Sequence, residues 1–94
     1  MNSAIQIRST DTVATAVAKL ATGDTVQITG AKTGTQINVS QDIPRGHKIA
    51  LRDIASGEHV LKYGEVIGMA TEDITMGQWV HVHNCRGIKA RRYE

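Results

Sequence analysis

Apolar and polar residues alternate along much of this chain, and glycines interrupt the alternation at short, uneven intervals. Residues Ala4 to Arg8 alternate with Ile5 and Ile7 on one face, which predicts a first strand. Thr25 to Thr29 alternates with Val26 and Ile28 inward, and Thr35 to Ser40 returns with Ile37 and Val39. The pair predicts a hairpin about a turn at Gly30 to Gly34. His47 to Leu51, Val60 to Tyr63 and Trp79 to Asn84 read as further strands. One stretch has another period. Val13, Ala14, Ala16, Val17 and Leu20 fall at helical spacing, Asp11 offers N-cap chemistry and Gly23 follows as a C′ residue would. A helix is therefore predicted over Asp11 to Leu20. The fold class read from this pattern is mainly β, a small module with one short N-terminal helix.

A short phrase recurs through this pattern. Asp42-Ile43-Pro44-Arg45-Gly46-His47-Lys48-Ile49 returns as Asp53-Ile54-Ala55-Ser56-Gly57-Glu58-His59-Val60 and as Asp73-Ile74-Thr75-Met76-Gly77-Gln78-Trp79-Val80. A looser copy is Lys19-Leu20-Ala21-Thr22-Gly23-Asp24-Thr25-Val26. Each reads polar, apolar, two variable residues, Gly, two variable residues, apolar. Such a phrase buries an aliphatic anchor, bends at glycine and enters a strand. The uneven intervals exclude a solenoid of fixed period. Tyr63-Gly64-Glu65-Val66-Ile67-Gly68 brackets a short apolar pair between glycines, as at a crossover or bulge.

Size and composition narrow the possibilities. Ninety-four residues form a single domain, residues 1–94, with one modest core. A chain this short buries only about 60–65% of its unfolded surface, so a partner surface would help it. With no Phe, and only Tyr63, Trp79 and Tyr93 as aromatics, the core must be Ile, Val, Leu and Ala. That suits narrow β packing better than a wide enzyme cleft. The single Cys85 excludes an internal disulfide and points to a reducing, cytoplasmic setting. No leader pattern and no run of membrane-spanning length is present, so no membrane role is expected. The net charge of +2 belongs to residues 86–94, a basic C-terminal tail holding Arg86, Lys89, Arg91 and Arg92. Without that tail the charge is −1, and no basic stripe with interleaved aromatics marks a nucleic-acid partner.

Several residues could carry chemistry. His81 and His83 stand at i and i+2 on the last expected strand, on one face with Trp79, with Cα atoms about 7 Å apart. They read either as two solvated histidines or as a pair able to grip a metal ion that other groups complete. His47 follows Gly46 at a corner, where a side chain is presented at a rim, and imidazole is the usual proton-transfer group. Lys48, Arg52 and Lys62 could bind a carboxylate substrate or simply face water. Tyr63 and Glu65 sit at the glycine-bracketed crossover, where Glu65 could be an acid–base group or a plain surface carboxylate. Cys85 reads as packing, and Asp11 as a helix N-cap. There is no phosphate loop, nucleophile elbow or paired-cysteine motif.

Ile43-Pro44-Arg45-Gly46-His47-Lys48-Ile49-Ala50-Leu51-Arg52-Asp53-Ile54 resembles the signature of the N-terminal SAF domain in the altronate/galactarate dehydratase family. Lys62-Tyr63-Gly64-Glu65-Val66-Ile67-Gly68, His81-Val82-His83-Asn84 and Asp11-Thr12-Val13-Ala14 are similar to further blocks of that domain, in the expected order. The resemblance implies a β-clip fold. It also implies one part of a hydro-lyase that converts an altronate- or galactarate-type sugar acid into a 2-keto-3-deoxy acid and water. A divalent metal, iron by family expectation, would be supplied mostly by a large catalytic dehydratase subunit. The chain would then be a small subunit or N-terminal domain, inactive alone and compatible with homo-oligomeric assembly. The implied site has His47 and Glu65 as catalytic groups, Lys48, Arg52, Lys62 and Tyr63 for substrate, and His81 and His83 for metal. Trp79 stands where family members often have histidine. The small subunit of a sulfolactate sulfo-lyase resembles the same stretch, and a non-catalytic carbohydrate-binding module of SAF type is the third reading.

Overall fold

The computed structural model describes residues 2–31 and 34–88, and among these it contains nine strands and no helix. They are β1 (Asn2–Gln6), β2 (Val13–Ala16), β3 (Thr25–Gly30), β4 (Thr35–Asn38), β5 (Lys48–Ala50), β6 (His59–Lys62), β7 (Glu65–Ala70), β8 (Trp79–Val80) and β9 (Cys85–Gly87). One sheet runs β4-β3-β1-β2-β5-β8 and a second runs β6-β7-β9. All pairings are antiparallel except β1 with β3. The expected β3–β4 hairpin forms, pairing Val26 with Ile37; residues 32 and 33 of its turn lie outside the described residues. So do residues 89–94 of the basic tail. No helix among the described residues is long and apolar enough to cross a membrane.

The four copies of the glycine phrase become four corners, and they pair two by two. Leu20 and Ile43 exchange backbone hydrogen bonds at 2.9 and 2.8 Å, and Ile54 and Ile74 do so at 2.7 and 2.8 Å. All four anchors are buried. The glycine of each corner has φ between 83° and 92°, a region costly for any residue with a Cβ. In every copy the N–H of the sixth residue donates to the carbonyl of the third, as in Glu58 to Ala55 at 2.9 Å.

The two pairs of corners organise two apolar clusters. Leu20 and Ile43 lie with Ala4, Ala14, Ala16, Val26, Ile28, Ile37, Val39 and Ile49. Ile54 and Ile74 lie with Val13, Ala50, Val60, Ala70, Val80 and Cys85. Strands β2, β5 and β8 pass between the clusters and feed both, since Val13, Ala50 and Val80 face one while Ala14, Ile49 and Trp79 face the other. A strand buried on both faces needs small or branched apolar residues throughout.

That requirement explains why the expected helix over Asp11 to Leu20 is not there. Val13-Ala14-Thr15-Ala16 is β2, paired with both β1 and β5. Having no polar face, it shows no alternation, and its spacing imitated a helical stripe. Beyond it Val17 stays on the ladder by donating to Ser3, and Leu20 turns inward as a corner anchor. The face shared by Ile5 on β1 and Ile7 just beyond its end is the outer one: these residues are 37% and 44% exposed, while Ala4 and Gln6 are buried.

Candidate functional site

The corner that precedes β5 presents His47 at the edge of the larger sheet. Its backbone is fixed on β2, with Gly46 donating to Ala16 and Ala16 donating to His47, both at 2.9 Å. Next to it β8 pairs with β5 and places Trp79 opposite Ile49. The Trp79 backbone N–H donates to Gln41 Oε1 at 3.0 Å, and its indole Nε1–H donates to His47 Nδ1 at 3.2 Å.

After Val80 the chain does not continue as the strand expected to Asn84. It turns, and Asn84 is the reason. This buried side chain accepts the N–H of His81 at 3.0 Å through Oδ1 and donates to the Trp79 carbonyl at 2.8 Å through Nδ2. The His81 carbonyl in turn accepts from Asn84 and Cys85. An Asn that bonds the backbone three residues before it closes such a turn. Val82 is 81% exposed as a result, although Val80 is buried. Asn84 is the residue that sequence reasoning passed over; its place directly after the His-Val-His run was the available signal.

The turn gathers the histidines more closely than a flat strand face would. His81 stacks on Trp79 with ring centroids 5.3 Å apart and planes 12° from parallel. His47 lies 4.8 Å from His81, and His83 packs at 5.2 Å on Trp79. One indole thus holds three imidazoles. Burial, followed by the neighbouring His47, Lys48 and His83, holds His81 below the usual histidine value, so it favours the neutral ring. A cleft of about 170 Å³ opens beside it, lined by Lys48, Ile67, His81, Val82, Cys85 and Gly87. Lys48 is the one anticipated substrate-binding cation that shares this cleft. Burial pushes the Cys85 thiol up, away from thiolate, in keeping with a packing role.

The remaining anticipated residues lie elsewhere. Arg52 pairs with Glu58 at 3.0 Å and donates to the Asp53 carbonyl, at the lip of a separate cleft of about 300 Å³ that Gln6, Asp11 and Leu51 also line. Lys62, Tyr63 and Glu65 form the tip of the β6–β7 hairpin, with Lys62 Nζ 4.8 Å from the Tyr63 ring centroid. Tyr63 and Gly64 both take positive φ, 62° and 74°, as a two-residue hairpin of this kind demands. Asp11, expected as a helix cap, secures that tip instead. Its buried carboxylate accepts the N–H groups of Arg8, Tyr63 and Gly64 at 3.0, 3.0 and 2.8 Å. Among the described residues the hairpin tip makes no hydrogen bond, ion pair or ring contact with the imidazoles.

Comparison with known proteins places this arrangement in a family. Residues 2–87 match the family model described as the altronate/galactarate dehydratase SAF domain. The chain is 46% identical over 82 residues to altronate dehydratase of Escherichia coli, covering 87% of itself and 16% of that protein. It is 45% identical over 58 residues to (2R)-sulfolactate sulfo-lyase subunit alpha of Chromohalobacter salexigens, covering 62% of itself and 58% of that protein. It is 39% identical over 59 residues to the subunit alpha of the same name from Paracoccus pantotrophus, covering 63% of itself and 88% of that protein. An all-strand module of glycine corners and a match over nearly its full length agree: the chain belongs to the altronate/galactarate dehydratase family, as its SAF domain.

Proposed function

We propose that this chain is the small, imidazole-bearing part of a hydro-lyase that removes water from an altronate- or galactarate-type sugar acid to give a 2-keto-3-deoxy acid. The observation that supports this most is the gathering of His47, His81 and His83 around Trp79, beside a cleft that Lys48 shares. The cleft is small, and the chain spans only 16% of the altronate dehydratase it resembles. A larger catalytic subunit or segment therefore supplies the rest of the site. In this reading Lys48 meets a substrate carboxylate and the imidazoles line the wall along which the hydroxyl groups lie. Glu65 stays at the hairpin tip, on a different edge, as a group for the partner to meet.

The metal implied by the family does not find a complete ligand set here. Among the described residues no three His, Cys, Asp or Glu side chains converge to hold an ion, and the Trp79 indole occupies one nitrogen of His47. His81 and His83 could join a site that the larger partner builds.

The alpha-subunit relatives keep a second reading in play, a sulfo-lyase acting on sulfolactate. The altronate dehydratase match takes in 87% of the chain against 62–63% for those subunits, which favours the sugar-acid branch. Mixing the purified chain with its large dehydratase partner and supplying altronate, galactarate and sulfolactate in turn decides the matter. Keto-acid formation from a sugar acid, only when both chains are present, is the expected result. Sulfite release from sulfolactate alone would move the chain to the other branch. Turnover by this chain alone, or binding of sugar acid with no turnover in the complex, would refute the proposal.

A further inference from the structure

We infer that Trp79 holds His47 as the tautomer protonated at Nε2, so that His47 serves its ligand as a hydrogen-bond donor and not as a base. This rests on the functional reading above and assigns a role within that same site. Trp79 is the positioning residue.

The Trp79 indole fixes one nitrogen of His47. Its Nε1–H can only donate, so the His47 Nδ1 it meets at 3.2 Å must offer a lone pair. A neutral imidazole with a bare Nδ1 carries its proton on Nε2, and the bond made by one ring nitrogen dictates the state of the other. The ring is also confined. His81 lies 4.8 Å from it and is itself stacked on the indole, so the three rings pack against one another. Among the described residues Nε2–H has no hydrogen-bond partner, and it presents a donor to a ligand.

A second, independent observation concerns the place His47 occupies in its corner. It is the sixth residue of the phrase. In the other three copies that residue is Asp24, Glu58 or Gln78, and its side chain accepts the N–H of the third residue, at 2.9, 2.8 and 2.6 Å. In the His47 copy the third residue is Pro44, which has no N–H. The sixth side chain is thereby released from capping its own turn and is free to be taken by Trp79. The corner departs from its siblings at the two positions that this role requires.

A fixed Nε2–H donor matches a ligand rich in acceptor oxygens, such as a polyhydroxy carboxylate. In a dehydration it would hold the departing hydroxyl or a developing enolate oxygen by hydrogen bond, while other groups remove the α-proton and protonate the hydroxyl so that it leaves as water. No proton leaves or reaches His47 in this role.

Two measurements test it. The first reads the ring nitrogens of the isolated chain at neutral pH by isotope-edited NMR. His47 should show a single tautomer with Nε2 protonated, and Trp79→Phe should relax it towards a mixture. A wild-type His47 protonated at Nδ1, or already mixed, overturns the assignment whatever reaction the complex performs. The second uses the complex with the large chain. His47→Gln keeps an N–H donor near the Nε2 position and should retain activity within about tenfold, with both limbs of the pH profile unmoved, whereas His47→Ala should lose about a hundredfold. A His47→Gln enzyme as inactive as His47→Ala, or one that loses a limb of the profile, would show that His47 moves a proton. Absence of dehydratase activity in the wild-type complex would count against the functional reading alone and leave the NMR result standing.

Discussion

The two pairs of corners share one backbone design and use their side chains differently. In the Ile54/Ile74 pair every available cap is made. Asp53 accepts the N–H of Met76 and Asp73 that of Ser56, each at 2.9 Å, while Glu58 and Gln78 close their own turns. In the Leu20/Ile43 pair half of these bonds are present: Asp42 accepts from Thr22, and Asp24 from Ala21. Lys19 stands where a third aspartate would reach Arg45, and His47 stands where a fourth acceptor would sit. One pair is closed on itself, and the other leaves two positions for other work. The histidine cluster grows from one of them. A near-repeat within a chain thus supplies its own reference, and the copy that breaks the shared rule marks the histidine cluster.

The sharpest contrast lies between equivalent glycines of the closed pair. A Cβ on Gly77 would sit 2.2 Å from the Asn38 carbonyl oxygen at a φ of 91°, whereas one on Gly57 would meet open space at a φ of 88°. Gly77→Ala should cost about 3–4 kcal/mol or abolish folding, and Gly57→Ala about 1 kcal/mol, compared by urea midpoints. Equal costs would mean that Gly77 is there for its turn alone. Next in size, Asp53→Ala should cost about 1 kcal/mol by removing the acceptor of the Met76 N–H, and Lys19→Asp should add about 0.5 kcal/mol by completing the half-capped pair. No gain from Lys19→Asp would show that the open pair lacks the geometry for that cap.

Pro44→Ala should change stability by less than about 1 kcal/mol, because it restores one N–H and frees the unfolded chain. Its larger effect should be on His47: a second N–H donor at Nδ1 also demands a lone pair there, so the Nε2-protonated tautomer should persist in the NMR measurement even in a Trp79→Phe background. Titration gives the smallest difference. The Ala55 N–H, then Arg52, hold the Glu58 carboxyl below its usual value, and the N–H and hydroxyl of Thr22 do the same for Asp42. A folded value below the unfolded one means that this stability is fully present above the ordinary carboxylate range, about pH 4, and is lost as the pH falls through the lowered values. Each pair therefore loosens in acid at one corner. Glu58→Gln should flatten that part of the acid slope, since Gln78 shows that an amide caps the same turn. An unchanged slope would remove Glu58 from it.

Much of this molecule was legible in one dimension. The anchors Leu20, Ile43, Ile54 and Ile74, the glycine bends that follow them and the β3–β4 hairpin all depend on local rules. Positive φ demands glycine within a residue or two, and a half-buried strand alternates residue by residue, so neighbours in sequence carry the information. The remainder required the folded chain. Val13 to Ala16 is a strand because β1 and β5 bury both of its faces, and a two-sided environment leaves no alternation to read. Asp11 secures a hairpin tip 52 and 53 residues away, a partner no local pattern names. His81 meets His47, and His83 meets the same indole, because β8 pairs with β5 and Asn84 then folds the chain back over Trp79. Burial on two sides and contact across a sheet are properties of the assembled structure, and the chemistry of the imidazole cluster was decided there.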